Sequence, residues 1–144
     1  RQQEVRPLES KMTRKMLDDY IKIKREIPVL KMEIQEMQTG EGGLISSTVF
    51  DYQRGFPRAQ SVVGMDWKLF EKRKKILEQK RKRARAVEMW IESIEDGQTR
   101  CVFRMFYMEG MTWERIAAKT GYQSSPDYPR LMIRDKYLKK CGIK

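Results

Sequence analysis

The 144-residue chain contains no histidine, and this absence excludes a large part of enzyme chemistry. Ser-His-Asp and Cys-His nucleophiles, histidine-based proton transfer and zinc sites with imidazole ligands all need the missing side chain. The sequence also shows no glycine-rich phosphate loop and no paired-carboxylate motif. We therefore expect a protein that is not an enzyme and that holds no metal ion and no cofactor.

Cysteines and long apolar runs are scarce as well. The two cysteines, Cys101 and Cys141, are too few for a disulfide scaffold and lack the spacing of metal ligands. No segment approaches the ~20 apolar residues of a membrane-spanning helix, and no signal peptide is recognisable. We expect a protein without membrane contact, in a reducing cytosol.

Positive charge is what the chain has in excess. Its 31 lysines and arginines face 20 acidic residues, which gives a net charge of +11 and an isoelectric point near 9.8. Such an excess favours a polyanionic partner, and nucleic acid is the commonest one. Hydrophobic residues make up 40% and charged residues 35%, a balance more typical of an extended helical protein than of a thick globular core.

A heptad pattern of apolar residues occupies the first third of the chain. Steps of four and three separate Met16, Tyr20, Ile23, Ile27, Leu30, Ile34 and Met37. The register continues through Pro28, which predicts one kinked helix rather than two. Two interpretations of this seam stay open. It packs against the second long helix of its own chain, or it forms a homodimeric coiled coil.

Glycines interrupt the helical pattern between residues 38 and 65. Five glycines and Pro57 punctuate this stretch, which predicts a loop. Its aromatic residues indicate that the loop packs down, and two β-tolerant stretches, 48–52 and 59–63, allow a small hairpin. Residues 1–11 are polar and are expected to form a flexible N-terminus.

A second long helix is predicted over residues 66–96, with Gly97 ending it. Its predicted apolar side consists of Trp67, Phe70, Leu77, Ala84, Val87, Ile91 and Ile94. Residues 72–85 hold nine basic residues against one acid. This run is either a solvated helix face or a surface that contacts DNA phosphates. The candidate phosphate contacts are Lys72, Arg73, Lys75, Lys80, Arg81, Lys82, Arg83 and Arg85.

The C-terminal third carries the punctuation of a helix-turn-helix. Gly110 ends one short helix, Thr112 can cap the next, and Glu114 lies in its first turn, where the helix dipole favours a carboxylate. Ala117 and Gly121 are four residues apart and would let two helices cross closely. The competing interpretation is a small αα-hairpin without a role in DNA binding.

The last helix is predicted to begin at Pro129, where the missing N–H costs nothing, and to end near Lys140. A residue that precedes a proline is disfavoured in the helical region of backbone space. Ser125 and Tyr128 are therefore predicted to be extended.

The faces of this last helix follow from its leucines. Leu131 and Leu138 are seven apart and are predicted to face the core together with Met132, which would leave Arg130 outward. Arginine pairs two-pronged with guanine, and the amino end of a recognition helix meets base edges. Arg130 and Arg134 are the predicted base readers. The predicted contacts with the DNA backbone are Ser125, Tyr128 and Lys136.

Three stretches carry a resemblance to a known family: DYQRGFPRAQSVVGMD (residues 51–66), IESIEDGQTRCVFRMFYMEGMTWERIA (residues 91–117) and YPRLMIRDKYLKK (residues 128–140). In this order they resemble small phage and prophage regulators related to the ArpU and RinA late-gene activators, which are described as similar to the fourth region of bacterial sigma factors. The resemblance implies an all-α DNA-binding protein whose reading helix covers residues 128–140. It also implies the cytoplasm of a host bacterial cell, in association with the nucleoid.

The predicted fold class is all-α, with two long helices, as an arm or a coiled-coil hairpin, joined by a glycine- and aromatic-rich loop and followed by a C-terminal helix-turn-helix. The predicted regions are the flexible residues 1–11, a helical arm over 12–97 with the inserted loop 38–65 and the basic helix 66–96, and a DNA-binding domain over 98–144.

The predicted function is sequence-specific binding of double-stranded DNA to regulate phage or prophage genes, as an activator of late genes, with host RNA polymerase as a further expected partner. Two alternatives stay open. One is a DNA-packaging protein of the small-terminase type, which would form a closed ring of many subunits. The other is a module that mainly binds RNA polymerase through Phe103, Phe106 and their neighbours.

Overall fold

The structure is a computed structural model that describes residues 12–39 and 66–144, and in these ranges it contains helices and turns but no strand. The elements are α1 (Arg14–Thr39), α2 (Trp67–Glu92), α3 (Gly97–Phe103) with a π-helical extension (Arg104–Met108), α4 (Trp113–Thr120), and a π-helical segment (Pro129–Asp135) that continues into α5 (Lys136–Lys140). The prediction of an all-α protein with two long helices first is confirmed. The predictions for residues 1–11 and for the loop and hairpin between 40 and 65 lie outside the described residues.

The described residues form two compact units, and each long helix contributes a segment to both. The two-helix unit consists of residues 24–39 and 66–81. The larger unit consists of residues 12–23 and 82–144. The predicted helical arm is therefore divided between the two units.

Helix α1 begins where Thr13 caps it, because the Thr13 hydroxyl accepts a hydrogen bond from the Met16 backbone N–H at 3.1 Å. The helix continues through Pro28 to Thr39, as the unbroken heptad register predicted. An internal proline removes one backbone hydrogen bond and crowds the preceding turn. Apolar contacts along the seam offset that cost.

The seam packs within the chain in the two-helix unit. Ile34 and Met37 of α1 form a buried cluster with Phe70 and Leu77 of α2. Ion pairs flank the cluster and join Arg73 to Glu33 at 3.3 Å and Lys80 to Glu26 at 2.7 Å. These apolar side chains are covered by their own chain. Of the two interpretations of the seam, the structure shows the intramolecular one.

Helix α2 begins one residue later and ends earlier than predicted. Asp66 caps it, since its Oδ1 atom accepts a hydrogen bond from the Leu69 N–H at 3.0 Å. The prediction that Trp67 lies on the buried side is wrong: its side chain is 55% exposed, because the first residue of the helix reaches only the edge of the Phe70 ring. Gly97 does not end α2 but begins α3.

The larger unit is organised around aromatic rings. Phe103 is fully buried, and the rings of Trp90, Tyr107 and Tyr137 lie 5.5–5.7 Å from it in edge-to-face or tilted orientations. Around these rings the buried aliphatic residues of the unit are Leu17, Ile23, Ala84, Val87, Ile91, Ile94, Val102, Ile116, Ala117, Ile133 and Leu138. Every described element thus contributes buried side chains to this unit.

Candidate nucleic-acid interface

Asp96 starts the C-terminal helices. Its carboxylate accepts hydrogen bonds from the Thr99 backbone N–H at 2.9 Å and from the Thr99 hydroxyl at 2.8 Å, and these two donors hold the pKa of Asp96 below its ordinary value. Arg100 closes the same corner, because its Nη1 atom donates to the Ile94 carbonyl at 2.6 Å. Side-chain hydrogen bonds therefore fix the start of α3, which is not a continuation of α2.

The connection between α3 and α4 consists of a π-helical turn and a glycine in the left-handed backbone conformation. After α3 the chain widens into the π-helical extension, and the Glu109 N–H donates to the Arg104 carbonyl at 3.0 Å. Gly110 then adopts a φ of 69°, as predicted for a residue that ends a helix. A Cβ atom at this position would lie 3.2 Å from the Ile21 Cδ1 atom. Both the backbone conformation and the close approach require glycine here.

Helix α4 has the N-terminal cap that the sequence predicted. The Thr112 side chain accepts from the Arg115 N–H at 3.2 Å, Glu114 lies in the first turn, and Gly121 ends the helix with a φ of 90°. A Cβ atom on Gly121 would meet nothing within 4 Å. The prediction that Gly121 permits a close helix crossing is therefore wrong. Glycine is needed there for its backbone conformation alone.

The terminal helix is defined as Pro129–Asp135 together with α5. The chain that connects α4 to it turns at Tyr122 and Ser125. The Ser125 N–H donates to the Tyr122 carbonyl, and the Tyr128 N–H donates to the Ser125 carbonyl at 2.9 Å. Tyr128 is helical, with φ −60° and ψ −49°, so the prediction of an extended Tyr128 is wrong. Tyr128 adopts this conformation although it precedes a proline, and its ring stacks on that of Tyr122 with centroids 4.3 Å apart.

The terminal helix is anchored by four inward side chains: Pro129, Ile133, Arg134 and Leu138. Their spacing of four and five residues fits a π-helical turn, which is wider than an α-helical one. The predicted inward pair of Leu131 and Leu138 assumed an α-helical turn and is wrong for Leu131, which is 45% exposed. Met132 is 46% exposed and was also placed on the wrong face. Only Leu138 of the three is buried.

Arg134 is a structural residue in this fold. It is only 7% exposed, and its guanidinium carbon lies 5.3 Å from the centroid of the Phe106 ring and 5.1 Å from that of Trp113. The Arg134 side chain donates to the Tyr107 hydroxyl at 3.2 Å and to the Asp135 carboxylate at 2.6 Å. A side chain enclosed in this way cannot reach a base edge without leaving the core. The base-reading role predicted for Arg134 is therefore corrected.

Burial of Tyr107 supports this arrangement. Its enclosure raises the pKa of the hydroxyl above the ordinary value, and the adjacent Arg134 guanidinium opposes that shift. The hydroxyl therefore stays neutral and can accept the hydrogen bond from Arg134. Phe106 and Trp113 stack on each other with centroids 4.3 Å apart, and the buried cation lies within about 5.3 Å of both centroids.

The other predicted contact residues of the terminal region reach solvent. Arg130 is partly exposed and forms an ion pair with Asp127 at 3.0 Å. Ser125, Tyr128 and Lys136 are exposed. Two further basic side chains at the end of the helix are also exposed, Lys139 and Lys140. They were not among the DNA contacts predicted from the sequence.

The basic run of α2 is divided between the two units. In the two-helix unit, Lys72, Lys75 and Arg81 are exposed, whereas Arg73 and Lys80 are partly buried and paired with acids of α1. In the larger unit, Lys82, Arg83 and Arg85 are all exposed. Arg83 is near enough to Asp19 to help lower the pKa of that carboxyl, to which Lys15 contributes most.

Other kinds of site find little support in the part of the chain that the structure describes. Residues 12–39 and 66–144 contain no group of three or more potential metal ligands. None of their helices combines the length and the apolar character that crossing a membrane requires. No protein-family model, curated protein or solved structure matches the chain.

Proposed function

We propose that the chain is a sequence-specific DNA-binding protein that regulates transcription of phage or prophage genes. In this proposal α3 with its π-helical extension, α4 and the terminal helix are the three helices of a helix-turn-helix, and the terminal helix enters the major groove. Activation of late genes is the part of the proposal that rests on the sequence resemblance.

The observation that carries the proposal is the anchored terminal helix. Four side chains hold it on the core, and its outer side carries the exposed lysines Lys136, Lys139 and Lys140. α3 and α4 both contact the π-helical segment Pro129–Asp135, and α3 also contacts α4. A helix that two others support and that presents cations outward is the arrangement that reading a groove needs.

Charge supports the same proposal. Ten basic residues and four acids lie in residues 97–144, and the same numbers lie in α2. Three of the four acids in the C-terminal stretch, Glu109, Asp127 and Asp135, are paired with arginines. Arg130 is the proposed base reader that remains at the amino end of the terminal helix. Ser125, Tyr128, Lys136 and the exposed basic residues of α2 are the proposed phosphate contacts.

Selection of bound duplexes from a random DNA library tests the proposal, together with the mass of the full chain in solution. One enriched motif and a monomer or dimer are the expected results. Absence of a motif together with a mass of many subunits would favour the packaging alternative instead.

The salt dependence of binding tests where the phosphate contacts lie. Each neutralised phosphate contributes about −0.9 to the slope of log affinity against log salt. A triple variant of the two-helix unit, with Lys72, Lys75 and Arg81 replaced by glutamine, removes the same charge as one of the larger unit, with Lys82, Arg83 and Arg85 replaced. We expect the slope to flatten by about 2–3 units for a set that contacts DNA. If neither set changes the slope, the run is a solvated face.

A further inference from the structure

The outermost face of the terminal helix is apolar at its centre. Leu131 and Met132 are 45% and 46% exposed, and Tyr128 at the beginning of the helix is 38% exposed. The inward anchors fix the rotation of the helix, so these side chains cannot turn toward the core without displacing Ile133 and Leu138. In a chain with 35% charged residues, adjacent exposed aliphatic side chains indicate a contact surface.

Positive charge borders this apolar centre. Lys136 follows Met132 by four residues, one helical turn later, and Lys139 and Lys140 follow in the next turn, all exposed. The acids nearest in sequence do not oppose this charge. Asp127 is paired with Arg130 at 3.0 Å, and Asp135 is paired with Arg134 at 2.6 Å and with Arg14 at 4.0 Å. The face therefore suits a partner that offers methyl-sized apolar groups between rows of negative charge.

The major groove of DNA has that composition. Phosphates line both of its walls, and each thymine places its C5-methyl group on the groove floor, where aliphatic side chains can contact it. Arg130, which precedes Leu131, is only partly exposed and is paired with Asp127 at 3.0 Å.

We propose that Leu131 and Met132 contact thymine methyl groups and so determine part of the DNA sequence that the protein prefers. The proposal rests on the DNA-binding function proposed above. It adds two apolar side chains to Arg130 as expected base readers. The preferred site should then contain thymine at one or two positions, on either strand, beneath this face.

The test replaces single thymines of the selected site with deoxyuridine, which lacks only the C5-methyl group. Burial of one methyl-sized group is worth ~0.8 kcal/mol, so each contacted thymine should weaken binding about fourfold when its methyl group is removed. Deoxyuridine in place of thymine at positions that the protein does not contact should leave the affinity unchanged. The full-length chain is used throughout, with binding measured at one fixed salt concentration.

Matched variants assign the methyl contact to individual side chains. Leu131→Ala and Met132→Ala should each abolish, at one position, the difference in affinity between DNA with thymine and DNA with deoxyuridine. Both variants should keep the melting temperature of the wild type, since both side chains are exposed. Leu69→Ala and Met89→Ala are the controls, because they remove exposed side chains of the same two types from α2. They should keep the full difference in affinity between thymine and deoxyuridine. A variant that loses the difference only together with melting stability would argue against the contact.

The outcomes separate this inference from the function on which it rests. If no sequence is selected from the library, the proposed function fails. If a motif is selected but contains no thymine, or if uridine binds as well as thymine at every position, the methyl contact is overturned and the DNA-binding function stands. If Leu131→Ala or Met132→Ala reduces a dimeric mass to that of a monomer without changing DNA affinity, the face binds a second copy of the chain and the proposal is overturned.

Discussion

The two-helix unit and the larger unit bury their apolar residues in different ways. In the two-helix unit, aliphatic side chains of α1 meet Phe70 and Leu77 along a heptad seam, with ion pairs at its margin. In the larger unit, Phe103 lies among three other rings, and the cation of Arg134 lies against Phe106 and Trp113. Repetitive packing tolerates local change, whereas a ring cluster with a buried cation depends on a few individual contacts.

Substitution at the two cores should expose this contrast most strongly. Phe103→Ala removes the ring that Trp90, Tyr107 and Tyr137 contact, and we expect the free energy of unfolding to fall by about 3–5 kcal/mol. Leu77→Ala in the two-helix unit should lower the free energy of unfolding by about 2–3 kcal/mol. The loss is smaller because Ile27 and Leu30, which pack against this cluster, are only partly buried and can relax. Urea denaturation followed by circular dichroism measures both. Equal losses would mean that the two cores respond alike.

Arg134 gives the next largest effect. Arg134→Ala should lower the free energy of unfolding by about 2 kcal/mol, because it removes a cation held by two rings and leaves the Tyr107 hydroxyl and Asp135 without their donor. Arg115→Ala removes an exposed arginine of α4 and serves as the control, with an expected change near zero. A stable Arg134→Ala protein that had lost only its sequence preference would restore the base-reading interpretation.

Gly110 tests the turn that follows the ring cluster. Gly110→Ala forces a Cβ atom into the left-handed region and toward Ile21, and should lower the free energy of unfolding by about 1–2 kcal/mol. Gly97→Ala is the matched control. Gly97 lies at the start of α3, and a Cβ atom there would come no closer than 3.7 Å to the flexible end of the Arg100 side chain. We expect that variant to be neutral or slightly more stable. Thermal melting of the two proteins compares them directly.

The smallest effect concerns pH and the Asp96 cap. Because the pKa of Asp96 is lowered in the folded chain, its contribution to stability is complete above its ordinary value of 3.8 and is lost as the pH falls through the lowered value. Melting temperatures measured from pH 6 down to pH 3 should therefore fall less for Asp96→Asn than for the wild type. Thr99→Val removes one of the two donors and should give an intermediate slope. Parallel curves for all three proteins would exclude the cap as a source of acid sensitivity.

The sequence pattern predicted the two-helix unit better than the larger one, and helical periodicity explains why. The seam of α1 repeats at 3.5 residues, which an α-helix satisfies, so both the path through Pro28 and the buried positions Ile34 and Met37 followed from it. Local capping rules also succeeded, because Thr112 and Gly110 act through their nearest neighbours. These features depend on short stretches of chain.

The faces of the terminal helix could not be predicted in the same way. Its π-helical turns pack on α3 and α4, and a helix with wider turns places Leu131 outward and Arg134 inward. The burial of an arginine depends on Phe106 and Trp113, which are more than 20 residues away in the sequence. Proline at 129 followed by an apolar residue at 133 and at 138 was the available signal, because the spacing of five between Ile133 and Leu138 does not fit an α-helical stripe.

The positions of the three tryptophans have a spectroscopic consequence. Trp67 is the tryptophan of the two-helix unit and is largely exposed, whereas Trp90 and Trp113 lie against other rings in the larger unit. Exposed and enclosed indoles emit at different wavelengths, so a Trp67→Phe protein reports fluorescence from the larger unit alone, and a Trp90→Phe, Trp113→Phe protein reports from the two-helix unit alone. Since α1 and α2 each belong to both units, paired emission curves along a denaturant series would show whether a shared helix melts along its whole length at once or in two stages.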